Sequence, residues 1–234
     1  LLGAPVALIE LSHGDGTHAE LILRDIEVER ARTAARVEGV SCPADYTPAT
    51  GLSGDRETAT AQAVAEYLHR QGIPRVTADR TLPLIFAEYL SRADIAVECD
   101  PEMWVVERRQ KTEREIEHLR AAQQTTERAV LLACEMIASA TAGKDGVLHS
   151  DGQPLTSEGV RTVVDHFLMD EGFVNPTSIV AGGPQGADCH AAGAGPLRTG
   201  EPVIVDIFPR DRSSRYWGDC TRTVVHGDIP DRVR

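Results

Sequence analysis

The 234-residue chain predicts an α/β fold, large enough for one big domain or two ordinary ones. Two observations carry the prediction. Segments whose apolar residues alternate with period two are interleaved with segments of period 3.6, and clusters of Gly, Pro, Asp and Thr punctuate the boundaries between them. The apolar residues, 41% of the chain, are almost all aliphatic, with aromatics at only 4%. That composition suits a packed core and gives no stacking platform for bases.

Residues 5–11 (PVALIEL) and 19–26 (AELILRDI) read as two strands around the turn-forming HGDGT at His13 to Thr17, a hairpin. Residues 55–71 read as a helix with Val64, Tyr67 and Leu68 on one face and Gly72 as its stop. Arg75 to Ala78 is strand-like, Thr81 is placed to cap a short helix with Pro83 in its first turn, and Ile95 to Cys99 returns as a strand. The joint between domains is expected near Asp100 to Arg109, where Pro101 interrupts and a charged run begins.

Beyond the joint, Thr112 and Glu115 form a T-x-x-E capping box. Ile116, Leu119, Val130, Leu131, Cys134 and Ile137 mark the expected buried side of a long helix running to Gly143. A second helix starts near Thr156, with Val160, Val163, Val164, Phe167 and Leu168 on one face before Gly172. From Ser178 the period becomes that of strands: SIVA, a Gly-rich connection, PVIVDIF, a polar loop, then CTRTVVH.

The formal net charge is −12, concentrated in residues 1–107, which hold 18 acidic against 9 basic side chains. Such a surface repels phosphate backbones and anionic lipid, which argues against nucleic acid and membrane partners and leaves room for a metal. Five cysteines without a CxxC pair argue against a disulfide framework or a zinc knuckle and predict a reducing cytoplasm. The opening LLGAPVALIEL has no basic flank, no run reaches transmembrane length, and the missing initiator Met predicts that residue 1 is not a natural start. Glycines in AGGPQGADCHAAGAG match neither GK[ST] nor a GxGxxG opening a helix, so a nucleotide loop is not expected.

In DIFPRDRSSRYWGDCTRT, Asp206 interrupts an apolar strand and Asp219 follows thirteen residues later. Alternation puts Ile204, Asp206 and Phe208 on one face and Val203, Val205 and Ile207 on the other. If the loop Pro209 to Gly218 folds the chain back, the two carboxylates converge, and oxygen ligands on rigid strands suit a hard divalent cation. Asp206 could instead pair with Arg215 or Arg222, and Asp219 could be a turn residue. A Cys189–His190 thiol pair is not expected, because neighbours on a strand face opposite ways and Cys189 reads as a small buried filler. The other seven histidines read as surface or hydrogen-bonded core residues.

The segment His190 to Gly227, with its His before a glycine-containing stretch, PLRTGEPVIVDIFP and DCTRT, resembles the first half of the metal-site region of the pita-bread metallopeptidases. That family contains Xaa-Pro aminopeptidases, prolidases and methionine aminopeptidases. Residues 1–107 resemble the creatinase/prolidase-like N-terminal α/β domain, its start missing, and residues 108–234 the first half of the α+β catalytic domain. The resemblance implies hydrolysis of peptides with proline after the N-terminal residue, by water activated between two divalent metals. Manganese is the first choice, with cobalt, zinc or iron as alternatives. It also implies Asp206 and Asp219 as metal ligands, the latter bridging, and His190 as a substrate-contacting or proton-handling residue. A homodimer is implied for the intact protein.

The family cages its metals with two Asp, one His and two Glu, and the last three are not found by Arg234. The sequence thus predicts an incomplete, inactive fragment whose final sheet has an uncovered apolar face and an open edge. A non-catalytic pita-bread binding module, or a creatinase-like hydrolase that works without metal, are the competing expectations.

Overall fold

A computed structural model describes residues 6–14 and 16–231. It divides into two compact units, Leu1–Gln110 and Lys111–Arg234. The fold is α/β throughout, and no helix among the described residues is long and apolar enough to cross a membrane.

In the first unit, β1 (Ala7–His13) and β2 (Gly16–Ile22) form the expected antiparallel hairpin, with His13 opposite Gly16. Pro5, read as the first residue of that strand, and Asp15 in the turn lie outside the described residues. The second strand ends earlier than the sequence suggested: Asp25–Ala34 is a helix, α1, with Asp25 and Glu27 in its first turn and Arg32 in its last, complementing its dipole. A short strand, β3 (Gly39–Ser41), then adds parallel to β2.

Next come α2 (Arg56–Arg70), β4 (Arg75–Asp79), α3 (Leu84–Arg92), β5 (Ala96–Asp100) and α4 (Val105–Arg109). Asp55 caps α2 by accepting a 2.8 Å hydrogen bond from the Thr58 amide; the Thr58 side chain and then this amide hold its carboxyl below the usual range. Thr81 does not cap α3. Pro83 occupies the cap position without a side-chain bond, and the Thr81 amide is instead held by Asp79 at 2.6 Å. β4 and β5 pair in parallel. Tyr67, Leu68, Phe86 and Leu90 from the helices meet Ile22 in the core of this unit. A cleft of about 860 Å³ is lined by β1, β4 and the facing sides of α2 and α3.

The second unit is organised by α5 (Glu113–Ser139), which starts at the expected capping box. It ends at Ser139, four residues short of Gly143, because Thr141–Ala142 is taken into a small sheet as β6 with β7 (Leu148–Ser150) and β8 (Gln153–Pro154). The buried face of α5 runs through Ala122, Thr126, Ala129, Val130, Ala133 and Ile137. Leu131, expected inside, is 56% exposed, since it sits one residue and about 100° around from Val130. α6 (Ser157–Asp170) is capped by Thr156, whose hydroxyl accepts from the Gly159 amide at 3.0 Å. Val160, Val164 and Leu168 are fully buried; Val163, expected beside them, is 39% exposed.

After β9 (Phe173–Val174), the strands β10 (Ser178–Gly182), β11 (Pro202–Ile207) and β13 (Cys220–Val225) form an antiparallel sheet with β11 in the middle. β12 (Arg210–Asp211), in the loop between β11 and β13, pairs with β9. One face of the sheet packs on α5 and α6 through Val180, Val203, Val205 and Ile207. The other face is mixed rather than apolar: Ile179 and Ile204 are half-buried, and Thr221 and Thr223 are exposed.

The phase of α5 is directly testable. Ile137→Ala, which empties a fully packed position, should destabilise the chain by about 2–5 kcal/mol in chemical denaturation, whereas Leu131→Ala should stay within about 0.5 kcal/mol. Equal losses at both positions would mean that the helix buries a different face.

Candidate metal and substrate site

Asp206 lies on the half-buried, open face of β11, two residues from Ile204, while Val203, Val205 and Ile207 fill the core side. Asp206 therefore keeps contact with water, and the desolvation cost of a carboxylate within an apolar strand is largely avoided. Its ladder partner is Thr221, whose hydroxyl donates a 2.6 Å hydrogen bond to Asp206 Oδ1. Arg222 opposes Val205, so its side chain leaves from the other face, and its guanidinium donates instead to the Thr221 carbonyl at 2.8 Å. Neither Asp206 nor Asp219 has an ion-pair partner among the described residues.

Asp219 is exposed and stands one residue before β13 rather than within it. Its position is set by Gly218, which is buried against α5. A Cβ there would overlap Thr126 Oγ1 and lie 2.7 Å from the Ala122 carbonyl oxygen. The same approach lets the Asp219 amide donate to Gln123 Oε1 at 3.1 Å, and the Gly218 amide donates to the Pro209 carbonyl at 3.0 Å. Two acceptor carboxylates without a protein cation fit a divalent metal by donor chemistry. Among the described residues neither Asp206 nor Asp219 belongs to a group of three His, Cys, Asp or Glu close enough to share an ion.

The loop between β11 and β13 is ordered by its own polar groups. Asp211 accepts from the Ser213 and Ser214 amides and the Ser214 hydroxyl; burial disfavours its charge, but these bonds prevail and its pKa falls. Arg215 takes a left-handed turn, φ 70°. The Tyr216 hydroxyl donates to Glu115 Oε1 at 3.1 Å, and its ring stacks on His118. Glu115 thus serves twice, closing the capping box with Thr112 and latching the loop. Hydrogen bonds from the Thr112 amide and hydroxyl, then from Tyr216, hold its pKa below the usual range.

His190 belongs to the connection between β10 and β11. This connection is bound to the sheet. Gly186 touches Ile204, on the same face as Asp206, so that a Cβ there would be 3.0 Å from Ile204 Cγ1. Gly193, with φ 82°, abuts the Val180 carbonyl so closely that no side chain fits. Asp188, Cys189 and His190 form an exposed turn, not a strand. The expectation that Cys189 and His190 diverge is therefore corrected: Cys189 is exposed, and its sulfur lies 3.6 Å from His190 Nδ1. His226 is a satisfied structural residue, bonded to Thr199 and the Ala140 carbonyl. Sequence reasoning missed Thr221, Gln123 and the Tyr216–Glu115 latch. Of these only Thr221 carried a signal, its place two residues after Asp219.

Residues 117–234 match the model of metallopeptidase family M24. No curated protein matches the chain. Among solved structures, the fold is similar to the prolidase of Pyrococcus furiosus (TM-score 0.68, 19% identity over 94% of this chain and 56% of that one). Similar too are dipeptidase PepE of Mycobacterium ulcerans (0.69, 22%, 98% and 56%) and the Xaa-Pro dipeptidase of Bacillus anthracis (0.68, 22%, 95% and 58%). The chain thus spans little more than half the length of these structures, and at such identities the likeness establishes the fold.

The latch makes a pH prediction. A carboxylate whose pKa is lowered by folding stabilises the fold above its unfolded pKa, and that contribution is lost as pH falls through the folded value. Wild type should therefore melt above Glu115→Gln at neutral pH, and the gap should close on acidification below the usual glutamate range. A gap that widens toward acid would refute the latch.

Proposed function

Because this chain belongs to metallopeptidase family M24, we propose that it carries part of a two-metal site for peptide hydrolysis, with Asp206 and Asp219 as ligands and His190 meeting the substrate. Residues 1–107 are read as the creatinase/prolidase-like leading domain and 108–234 as the first half of the catalytic domain. The observation that carries the reading is the register of β11 with β13. Thr221 opposes Asp206 in that ladder, and Asp219 precedes Thr221 by two residues; on the proposed reading the chain stays extended through Cys220, and both carboxylates share the face of Thr221.

Each residue then has a distinct task. Thr221 holds the rotamer of Asp206, and Gln123 fixes the backbone from which Asp219 extends. His190, on a loop seated over Ile204, contacts the substrate or passes a proton through its imidazole. Divalent cations, when bound, supply Lewis acidity at the scissile carbonyl and acidify water. An all-oxygen pair favours manganese, with cobalt, zinc or iron as alternatives. The substrate class proposed is peptides with proline in second position, in keeping with the prolidase and Xaa-Pro dipeptidase among the similar structures. Exposed free Cys99 and Cys189 suit a reducing cytoplasm, and a homodimer is proposed for the intact protein.

Two carboxylates offer at most four oxygens, too few to neutralise a pair of dications. Manganese titration of the chain, followed by loss of the free-ion paramagnetic resonance signal, should give one weak ion at most, reduced ~10-fold or more by Asp206→Ala or Asp219→Ala. Two tightly held ions per chain would overturn the assignment. In the full-length protein, His190→Ala should lower turnover of an Xaa-Pro peptide at unchanged metal content. Metal loss in that variant would make His190 a ligand instead.

A further inference from the structure

The turn Asp188–Cys189–His190 brings a carboxylate oxygen, a thiol sulfur and an imidazole nitrogen within 4.8 Å of one another, separate from Asp206 and Asp219. The geometry points to a second cation site, one that takes a single soft or borderline divalent ion such as zinc through these three side chains. Tetrahedral zinc with bonds of about 2.3 Å to sulfur and about 2.1 Å to nitrogen holds those two atoms about 3.6 Å apart. The Cys189 sulfur and His190 Nδ1 stand 3.6 Å apart. The Asp188 carboxylate, one oxygen of which accepts from the His190 amide at 2.9 Å, stands within 4.8 Å of both; a side-chain adjustment brings an oxygen to the ion, and water completes the fourth position.

Charge and softness select the ion. Binding releases the thiol proton to solvent, and thiolate plus carboxylate then carry two negative charges, which cancel those of a dication. A sulfur and a nitrogen donor favour zinc over manganese or magnesium, the reverse of the all-oxygen pair on the sheet.

The backbone of the turn is already organised. The Gln185 side chain clamps Ala194 in both directions, accepting from its amide at 2.7 Å and donating to its carbonyl at 2.9 Å. Arg161 donates to the Gly193 carbonyl at 2.8 Å and also to that of Ala192. Within the turn, the Asp188 carbonyl accepts from the Ala191 amide at 3.1 Å. Little ordering remains to be done on binding, since only side-chain rotamers must settle. A cation on Nδ1 also occupies the imidazole assigned above to the substrate, which would couple this site to turnover. That consequence rests on the proposed function, whereas the site itself does not.

The test therefore reads binding rather than hydrolysis. Cobalt(II) titrated into the full chain should produce a thiolate-to-cobalt charge-transfer band that saturates at one ion per chain and is bleached by equimolar zinc. Cys189→Ser should abolish the band, and Asp188→Asn or His190→Ala should weaken zinc binding ~10-fold or more. Asp206→Asn with Asp219→Asn should leave the band intact, so failure of the sheet site cannot be mistaken for failure here. Absence of the band in the wild type would overturn the proposal, as would its persistence in Cys189→Ser with loss in Cys99→Ser.

Discussion

The contact between Gly218 and α5 sets the rest of the second unit. With no Cβ, the backbone before β13 comes down onto Ala122 and Thr126 until there is no space for a methyl group. That approach fixes where β13 begins. The ladder with β11 then decides which residues of that strand look into the core and which look out. Gln123 and Thr126, one turn apart on α5, face the same stretch of chain, one by hydrogen bond and one by steric contact. A larger residue at 218 would have to lift the strand or tilt the helix, and either would displace Asp219 before any of its own contacts changed.

Strand parity does the remaining work of separating core from chemistry. Because Val203, Val205 and Ile207 occupy one face of β11, a carboxylate at 206 must emerge on the other, where a hydroxyl and solvent meet it. Of the two arginines that might have neutralised Asp206, Arg222 is excluded by the same rule, since it belongs to the opposite parity. A one-residue slip of β13 would bring Arg222 across from Asp206 and bury a threonine against α5. Register in this sheet is thus protected by the core as well as by the Gly218 contact.

What could be read from the sequence followed the strength of periodic signals. The α5 capping box, the α6 face and the three strands of the last sheet carry long, regular patterns, and the opposite faces of Val205 and Asp206 follow from alternation alone. α1 was invisible because only Ala31 of its ten residues is buried, so no apolar stripe marks it. Leu131 and Val163 misled for the opposite reason: an apolar residue next to a stripe looks like part of it until the helix phase is known. The Gln123 and Glu115 contacts to the loop join residues about a hundred positions apart, and no local pattern encodes such a pair. The Asp188–His190 turn escapes strand alternation because the chain bends there, in a glycine-rich connection with no periodic pattern to mark it.

Those long-range bonds also bear on the order in which the molecule assembles. Tyr216 and Glu115 are 101 residues apart, and Asp219 and Gln123 are 96 apart, whereas the α5 capping box closes over three. Loop-closure entropy makes the distant pairs slow to form, while the helix start is local and fast. On the ribosome, Glu115 and Gln123 emerge long before their partners are synthesised. Gln123, and the Glu115 oxygen that the capping box leaves free, then lack their partners through about a hundred further residues of translation. Sequence separation thus favours a helix start that forms locally and a carboxylate end of the last sheet that docks onto it afterwards.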